Sequence, residues 1–399
     1  MSSRFRLAAV TSHVIPYRAP LFRRLAAEPW LELEVLYCHD YGVRPQDSAW
    51  GLRNFTWEGD FTAGYRSRLL RNVSPRPKVS TLGGEINPEL VSILFGGRYD
   101  AVIFEGWHTV TALAGLLLGN VSPTPILLQC EATLSTQPRS ALRALAKPLA
   151  MRALLRAPAA FLALGTKNRA FYAHHGVGEE RIFPFPYTVD VAWFTAEAER
   201  LAEERRRLRA DLGFSDRETL FLFVGQMLPR KDPLGLVAAY KALRAQRDDV
   251  GLVMVGSGPE LDRVRAAADG VPGARIEGFK NVSALPLYYA LADVFVLPSF
   301  EETWGLVVNE AMCFGLPVIS TWTMGSTFDL VDGRDTGIVV NAGKTDELHA
   351  AMTALAADPD RRRQMGARAR ATIGQWTYEE DAAGLRAAAE WLKRAARKG

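Results

Sequence analysis

Cysteine is scarce: there are three in 399 residues, Cys38, Cys130 and Cys313, odd in number and widely separated. That excludes a disulfide-stapled scaffold and a cysteine-rich metal cluster, and it points to a reducing compartment. The six histidines show no HExxH-like spacing. The one Asp-x-Asp, Asp358-Pro359-Asp360, falls between late helical stretches and away from every strand-end motif, so no metal site is expected. Excess charge is small, with 48 Lys and Arg against 44 Asp and Glu for a net +4, too diffuse for a nucleic-acid surface. No apolar run reaches the roughly 18 residues of a membrane span. The first residues lead straight into the strand-like run Leu7-Ala8-Ala9-Val10 without a signal-peptide core, so the expected location is the cytoplasm. Internal repeats and low-complexity segments are also missing.

What is present is length and rhythm. A chain of 399 residues exceeds what one core holds, since single cores stop growing near roughly 250–300 residues. Short apolar runs at 5–10, 31–37, 101–104, 125–128 and 159–164 alternate with helical stretches such as 20–27 and 109–118. The rhythm breaks at Pro184-Phe185-Pro186, and a polar helix is expected over 195–212 with Thr195 as its cap and the charge run 203–207 on a wet face. A second set of strands follows at 220–224, 250–255, 274–277, 293–297, 317–320 and 337–340, with helices at 233–246, 260–268, 283–291, 305–314 and 344–357, and a last helix over 378–397. Strands alternating with helices predict α/β architecture, here two doubly wound parallel sheets.

The richest segment is Glu302-Thr303-Trp304-Gly305-Leu306-Val307-Val308-Asn309-Glu310. Glu302 is expected on a loop at the carboxyl end of a strand, and Glu310 about a turn and a half into the next helix. Ligands bind at that edge of an open parallel sheet. First-turn amides there favour anions, and Gly305 permits close approach to the backbone. Carboxylates to accept hydroxyl hydrogens beside a phosphate-holding helix start suit a polyhydroxylated anion.

Three other strand ends share this edge. Gly225-Gln226-Met227-Leu228-Pro229-Arg230-Lys231-Asp232 offers a planar guanidinium and a point charge just before a helix, a phosphate clamp in principle. Val255-Gly256-Ser257-Gly258-Pro259-Glu260-Leu261 imitates a dinucleotide fingerprint, with Glu277 about twenty residues on, but Leu261 replaces the third glycine. Glu277-Gly278-Phe279-Lys280-Asn281 ends another strand at this edge, where Phe279 and main-chain groups are candidates to hold a base and a plain strand-end turn is the alternative.

The first half is less specific. Thr11-Ser12-His13-Val14-Ile15-Pro16-Tyr17-Arg18 follows the first strand, and Arg18 is a candidate for an acceptor phosphate or for a local cap. Glu105-Gly106-Trp107-His108 and Gln129-Cys130-Glu131 end later strands, so His108 and Glu131 are candidate sugar or acceptor contacts. Over 138–158, Arg139, Arg143 and Lys147, then Arg152 and Arg156, recur at steps of four. Together with Arg66, Arg68 and Arg71 they suggest a basic, apolar face toward an anionic membrane; a core helix with snorkelling arginines is the alternative.

Two acids separated by seven residues, with an aromatic-Gly pair between them, resemble the retaining glycosyltransferases of family 4, which have the GT-B fold: two Rossmann-like domains facing a cleft. The Gly225 loop, the Gly-x-Gly-Pro turn and the stretch 323–337 follow the same layout. The resemblance implies an acceptor domain over 1–195, a donor domain over 196–377 and a terminal helix over 378–399 crossing back to the first. It implies a hexosyltransferase that moves a sugar from a UDP- or GDP-linked donor to a hydroxyl of a glycan, lipid-linked or small-molecule acceptor. Retention is implied, with no cofactor or metal required. In the family the Gly225-type loop carries an arginine and a lysine on the donor diphosphate. Lys231 matches the lysine, Gln226 stands where arginine is usual, Asp232 stands where glycine is usual, and Arg230 supplies the neighbouring cation. By the same resemblance Glu302 holds donor sugar hydroxyls, Glu310 holds the ribose, and Trp304, Gly305, Leu306 and Val307 border the donor. Two competitors share the fold: an isomerase or phosphorylase, and a non-catalytic nucleotide-sugar-binding protein. The presence of both acids argues against the latter.

Overall fold

The computed structural model describes residues 4–45, 57–79, 81–134 and 150–397. They form two compact units, one of residues up to 187 together with 378–397, the other of 188–377. The change of unit falls at 187/188 and not at 195/196. Its reason is a helix that begins earlier than expected. Asp190 accepts a hydrogen bond from Trp193 N, and the helix Val191–Leu201 packs within the second unit on helices Leu285–Leu291 and Leu306–Cys313. The single polar helix expected over 195–212 is two, Val191–Leu201 and Arg205–Asp211. The charge run 203–207 is only partly wet: its Arg205 pairs with Asp293 at 2.6 Å, and the buried Arg209 just beyond it pairs with the same carboxylate at 2.5 Å.

Among the described residues the first unit holds seven parallel strands: β1 Phe5–Thr11, β2 Leu31–Tyr37, β3 Arg66–Leu69, β4 Ala101–Glu105, β5 Ile126–Gln129, β6 Ala160–Ala163 and β7 Ile182–Pro184. Their order is β3-β2-β1-β4-β5-β6-β7. Central strands are buried on both faces, as a parallel sheet requires. Leu7 and Ala9 enter one core layer while Ala8 and Val10 enter the other, because successive side chains alternate. The helix Tyr378–Ala396 closes the first layer through Tyr378, Ala382, Leu385, Ala389 and Leu392, a stripe at helical spacing.

The second unit holds six: β8 Thr219–Val224, β9 Val250–Val255, β10 Ala274–Gly278, β11 Val294–Val296, β12 Val318–Thr321 and β13 Gly337–Val340, ordered β10-β9-β8-β11-β12-β13. In both sheets the winding reverses once, between β1 and β4 and between β8 and β11. Ligands of doubly wound sheets bind outside the carboxyl ends of the strands at such a reversal. Among the described residues no helix is long and apolar enough to cross a membrane, and no group of three or more His, Cys, Asp or Glu is placed to hold a metal ion.

Candidate active site

At the β8/β11 reversal, the loop after β8 meets the loop after β11. Lys231 Nζ lies 2.8 Å from Glu302 Oε2, and Arg230 Nη1 lies 3.6 Å from the same oxygen. The backbone ties the loops together. Phe300 N donates to Arg230 O at 2.8 Å, and Arg230 Nη1 donates to Glu301 O at 3.1 Å. Lys231 is 8% exposed, whereas the Arg230 side chain is 45% exposed and open to a ligand. Asp232, at the position where glycine is usual, is in the left-handed region at φ 50°, which explains the ordinary preference. The aspartate has its own use there: its carboxylate accepts from Gly235 N at 3.1 Å and caps the helix Pro233–Arg244.

The Gly-x-Gly-Pro turn has a packing reason. A Cβ on Gly256 would stand 1.8 Å from Gly225 O, so only glycine lets the turn lie against the loop that carries Gln226. Met227 N donates to Ser257 O and Glu260 N to Met227 O, at 2.9 and 3.0 Å. Glu277 is held by Tyr288 Oη and Lys280 Nζ at 2.9 and 3.3 Å. The turn therefore packs against and shapes the loop that carries Gln226. Gly278 and Phe279 end β10, two strands from β8, and join the same edge through Gly256 N donating to Gly278 O at 2.7 Å.

Gly305 has φ 93° and starts the helix Leu306–Cys313. A Cβ there would meet Met324 Cε at 3.1 Å and Glu302 Cγ at 3.3 Å. Leu306 and Val307 are partly exposed, and the N–H groups of a first turn have no acceptor within the helix. Trp304 and Glu310 turn inward instead. Trp304 is 3% exposed, stacks on Trp376 at 5.6 Å, and donates from Nε1 to Asn309 Oδ1 at 2.9 Å. It anchors the acid loop from beneath. Glu310 is fully buried and accepts from the Tyr289 hydroxyl at 2.5 Å. A strap braces the loop from the other side: Thr323 Oγ1 donates to Ser299 O, Gly325 N to Glu302 O and Ser326 Oγ to Trp304 O.

At the β1/β4 reversal of the first unit lies a cavity of about 240 Å³. Thr11 Oγ1 donates to Glu105 Oε2 at 2.6 Å, and Arg18 Nε lies 3.5 Å from Glu105 Oε1. The Arg18 guanidinium also stands over the Tyr187 ring at 5.2 Å. Burial works against its charge, but Glu105, Tyr187, Glu131 and Asp381 outweigh that and raise its pKa. Ser12 Oγ donates to Glu85, whose carboxyl is pushed up by burial. His13 is lowered to about 4 by burial and by the neighbouring His39. His108 and Glu131, both exposed, line the rim. Arg18, His108 and Glu131 thus share one cavity, and Glu85, Glu105, Thr11, Ser12 and His13 join them. Glu105 had a legible signal, an acid ending a strand. Glu85 had none, because its segment carries no periodicity.

The basic face expected toward a membrane is only partly described, since 135–149 lie outside the described residues. Arg152 and Arg156 are exposed. Arg68 is paired with Glu89 at 2.6 Å and Glu34 at 3.4 Å, and Arg66 with Glu32 at 3.6 Å. The run 66–69 is the edge strand β3, and its cations are matched by acids of the neighbouring strand and helix.

Residues 204–372 match the family described as glycosyl transferases group 1. A D-inositol 3-phosphate glycosyltransferase of Pseudarthrobacter chlorophenolicus is 30% identical over 289 residues, 68% of this chain and 65% of that one. A GDP-mannose-dependent alpha-(1-6)-phosphatidylinositol monomannoside mannosyltransferase of Mycobacterium tuberculosis is 33% identical over 211 residues, 50% of this chain and 53% of that one. The chain therefore spans between 53% and 65% of the length of these two relatives. Among solved structures, sucrose-phosphate synthase of Thermosynechococcus elongatus has the same fold, with TM-score 0.72 at 20% identity over 98% of this chain and 100% of that one. The second unit thus carries the match to glycosyl transferases group 1, and the two parallel sheets wound in this way have the GT-B fold that the likeness to family 4 implied.

Proposed function

We propose that the protein transfers a hexosyl group from a UDP- or GDP-linked sugar to a hydroxyl of a glycan, lipid-linked or small-molecule acceptor, with retention at the anomeric carbon. The observation that carries this reading is the Lys231–Glu302 pair, 2.8 Å apart across the β8/β11 reversal, with the exposed Arg230 beside it and the Gly305 helix start adjoining. The bond from the anomeric carbon to the diphosphate oxygen breaks, and its electron pair leaves with the diphosphate. Lys231, Arg230 and the amides of Leu306 and Val307 stabilise that growing charge. The acceptor oxygen bonds to the anomeric carbon and passes its proton to the departing diphosphate oxygen, which has taken the electron pair of the broken bond. Glu302 orients donor hydroxyls, Gly278 and Phe279 border the base, and Glu310 reaches the ribose by exchanging its Tyr289 contact. Gln226 lies in the loop that carries the clamp. Retention rests on the resemblance to family 4, and the reading needs no resident cofactor.

The acceptor belongs to the cavity of Arg18, His108 and Glu131. The mannosyltransferase relative, named for GDP-mannose and a phosphatidylinositol monomannoside, supports a nucleotide-sugar donor and a sugar-bearing acceptor. Contact with an anionic membrane on the cytoplasmic side is the outer part of the proposal and rests on the exposed Arg152 and Arg156. A thermal-shift screen of nucleoside diphosphates and their sugars tests the donor reading. Binding raises stability by RT ln(1 + [L]/Kd), about 2.7 kcal/mol at a hundredfold excess over Kd. No shift with any uridine or guanosine diphosphate contradicts it.

A further inference from the structure

We infer that the acceptor moiety entering the first unit is an uncharged polyol ring, a sugar or a cyclitol, and not a phosphorylated one. The inference rests on the reading that the β1/β4 cavity receives the acceptor, and it names the chemical class that cavity selects.

The cavity's size limits it to one ring. At about 240 Å³ it falls below the roughly 300–1,000 Å³ typical of sites for drug-sized ligands. Its charge then decides what that ring carries. Three carboxylates line it, Glu85, Glu105 and Glu131, and among the described lining residues Arg18 is the only arginine or lysine. That cation is already engaged. Glu105 holds its Nε at 3.5 Å, Tyr187 lies under it, and Asp381 adds a further carboxyl close enough to be felt. The Arg18 side chain is only 9% exposed, so a phosphate would have to displace Glu105 to make a bidentate contact. His13 supplies no second cation, because burial keeps its ring neutral at physiological pH.

The same groups suit hydroxyls. An ionised carboxylate accepts through about four lone-pair positions. Glu105 uses one oxygen for Thr11 and the other for Arg18, which fixes the group and leaves acceptor capacity on both. Glu85 is fixed by Ser12 and Thr109 and keeps capacity in the same way. Two immobilised carboxylates lining one cavity match the hydroxyl donors of a polyol and repel a phosphate dianion at close range, where screening is weak. The acceptor named for the Pseudarthrobacter relative carries a 3-phosphate, so this pocket departs from that chemistry. On a lipid-linked acceptor, the group entering would be the neutral terminal sugar and not a phosphate.

The test is ligand-observed NMR and calorimetry on the full chain with saturating nucleoside diphosphate. The panel pairs neutral rings (glucose, mannose, galactose, myo-inositol) with their monophosphates. At least one neutral ring is expected to bind tenfold or more tightly than its phosphate. Glu131→Lys, at the exposed rim, is expected to narrow that ratio about tenfold. Glu85→Gln is expected to weaken the neutral ring while the melting temperature and nucleoside diphosphate affinity hold. A phosphate that binds as well as its parent ring overturns the inference. So does an absence of binding by every ring and phosphate while the nucleoside diphosphate still binds, and that pattern leaves the donor reading standing.

Discussion

Where strand order reverses, the second unit sets two cations, Arg230 and Lys231, against one carboxylate, Glu302. The first unit sets one guanidinium, Arg18, among Glu105, Glu131, Glu85 and Asp381. Both places are built by the same winding, and in each a loop after the early strand is bonded to a loop after the strand across the reversal. The difference lies in how much charge is left for a ligand. Arg230 is half-exposed and faces a single acid, so it retains donors to offer. Arg18 is buried and enclosed by acids, so its charge is consumed within the protein. On the proposed reading, one sheet edge suits a diphosphate and the other suits hydroxyls, on one architecture.

The contrast breaks first at Arg18. Removing a buried cation leaves Glu105 uncompensated, so Arg18→Ala is expected to cost about 3–5 kcal/mol of folding stability. Urea unfolding measures it. An unchanged midpoint with altered anion binding would make Arg18 a ligand-facing cation like Arg230 and erase the distinction.

A second test uses pH. The folded His13 pKa, about 4, lies below its ordinary value of about 6.5, so the unfolded chain binds the extra proton between them. Stability from this group is fully present above about 6.5 and is lost as pH falls toward 4, on the order of 3 kcal/mol in all. His13→Gln should flatten that part of the stability–pH curve. Asp381 works in the opposite sense. Burial raises its carboxyl well above the usual range, so the folded state holds the proton longer and stability falls as pH rises above the ordinary aspartate value. Asp381→Asn should therefore be neutral or stabilising near pH 7. If it proves strongly destabilising there, Asp381 acts as an ionised partner of Arg18.

In the second unit the expected loss is of turnover. Lys231→Ala should lower kcat on the order of 10²-fold, as for one lost stabiliser of transition-state charge, with a smaller stability change than Arg18→Ala. Near-normal turnover would remove Lys231 from the chemistry. The smallest effect concerns Gln226. Gln226→Arg adds a cation to the loop and should raise nucleoside diphosphate affinity about tenfold, worth about 1.4 kcal/mol by calorimetry. No gain would mean that Arg230 already supplies what the usual arginine does.

Much of this was legible in the chain itself. β9 is the continuous apolar run that a buried parallel strand must show, and β2, β9 and β13 were placed to the residue. Two strands were not read as strands at all. The Arg-Ser-Arg-Leu of β3 lies at a sheet edge, where polar side chains are tolerated, so it read only as basic. Ile182–Pro184 is three residues long. The early start at Val191 was missed because its cap, Asp190, follows two prolines that suggested a linker. At the site, Lys231, Arg230, Glu302 and Gly305 were readable because strand ends and loop glycines impose local order. The inward turn of Trp304 was not, since it depends on Trp376, far along the chain. Glu85 and Asp381 were invisible for the same reason: their neighbours are set by tertiary packing and not by any period.

Hydrogen exchange measured with and without saturating UDP or GDP tests the central claim most directly, because it reports where a ligand binds as well as whether it binds. The account predicts slowed exchange over 225–232 and 302–309, around Lys231, Glu302 and the start of the Leu306–Cys313 helix, with 11–18 and 105–108 unchanged. Protection confined to 11–18 and 105–108, with the second unit untouched, would contradict it.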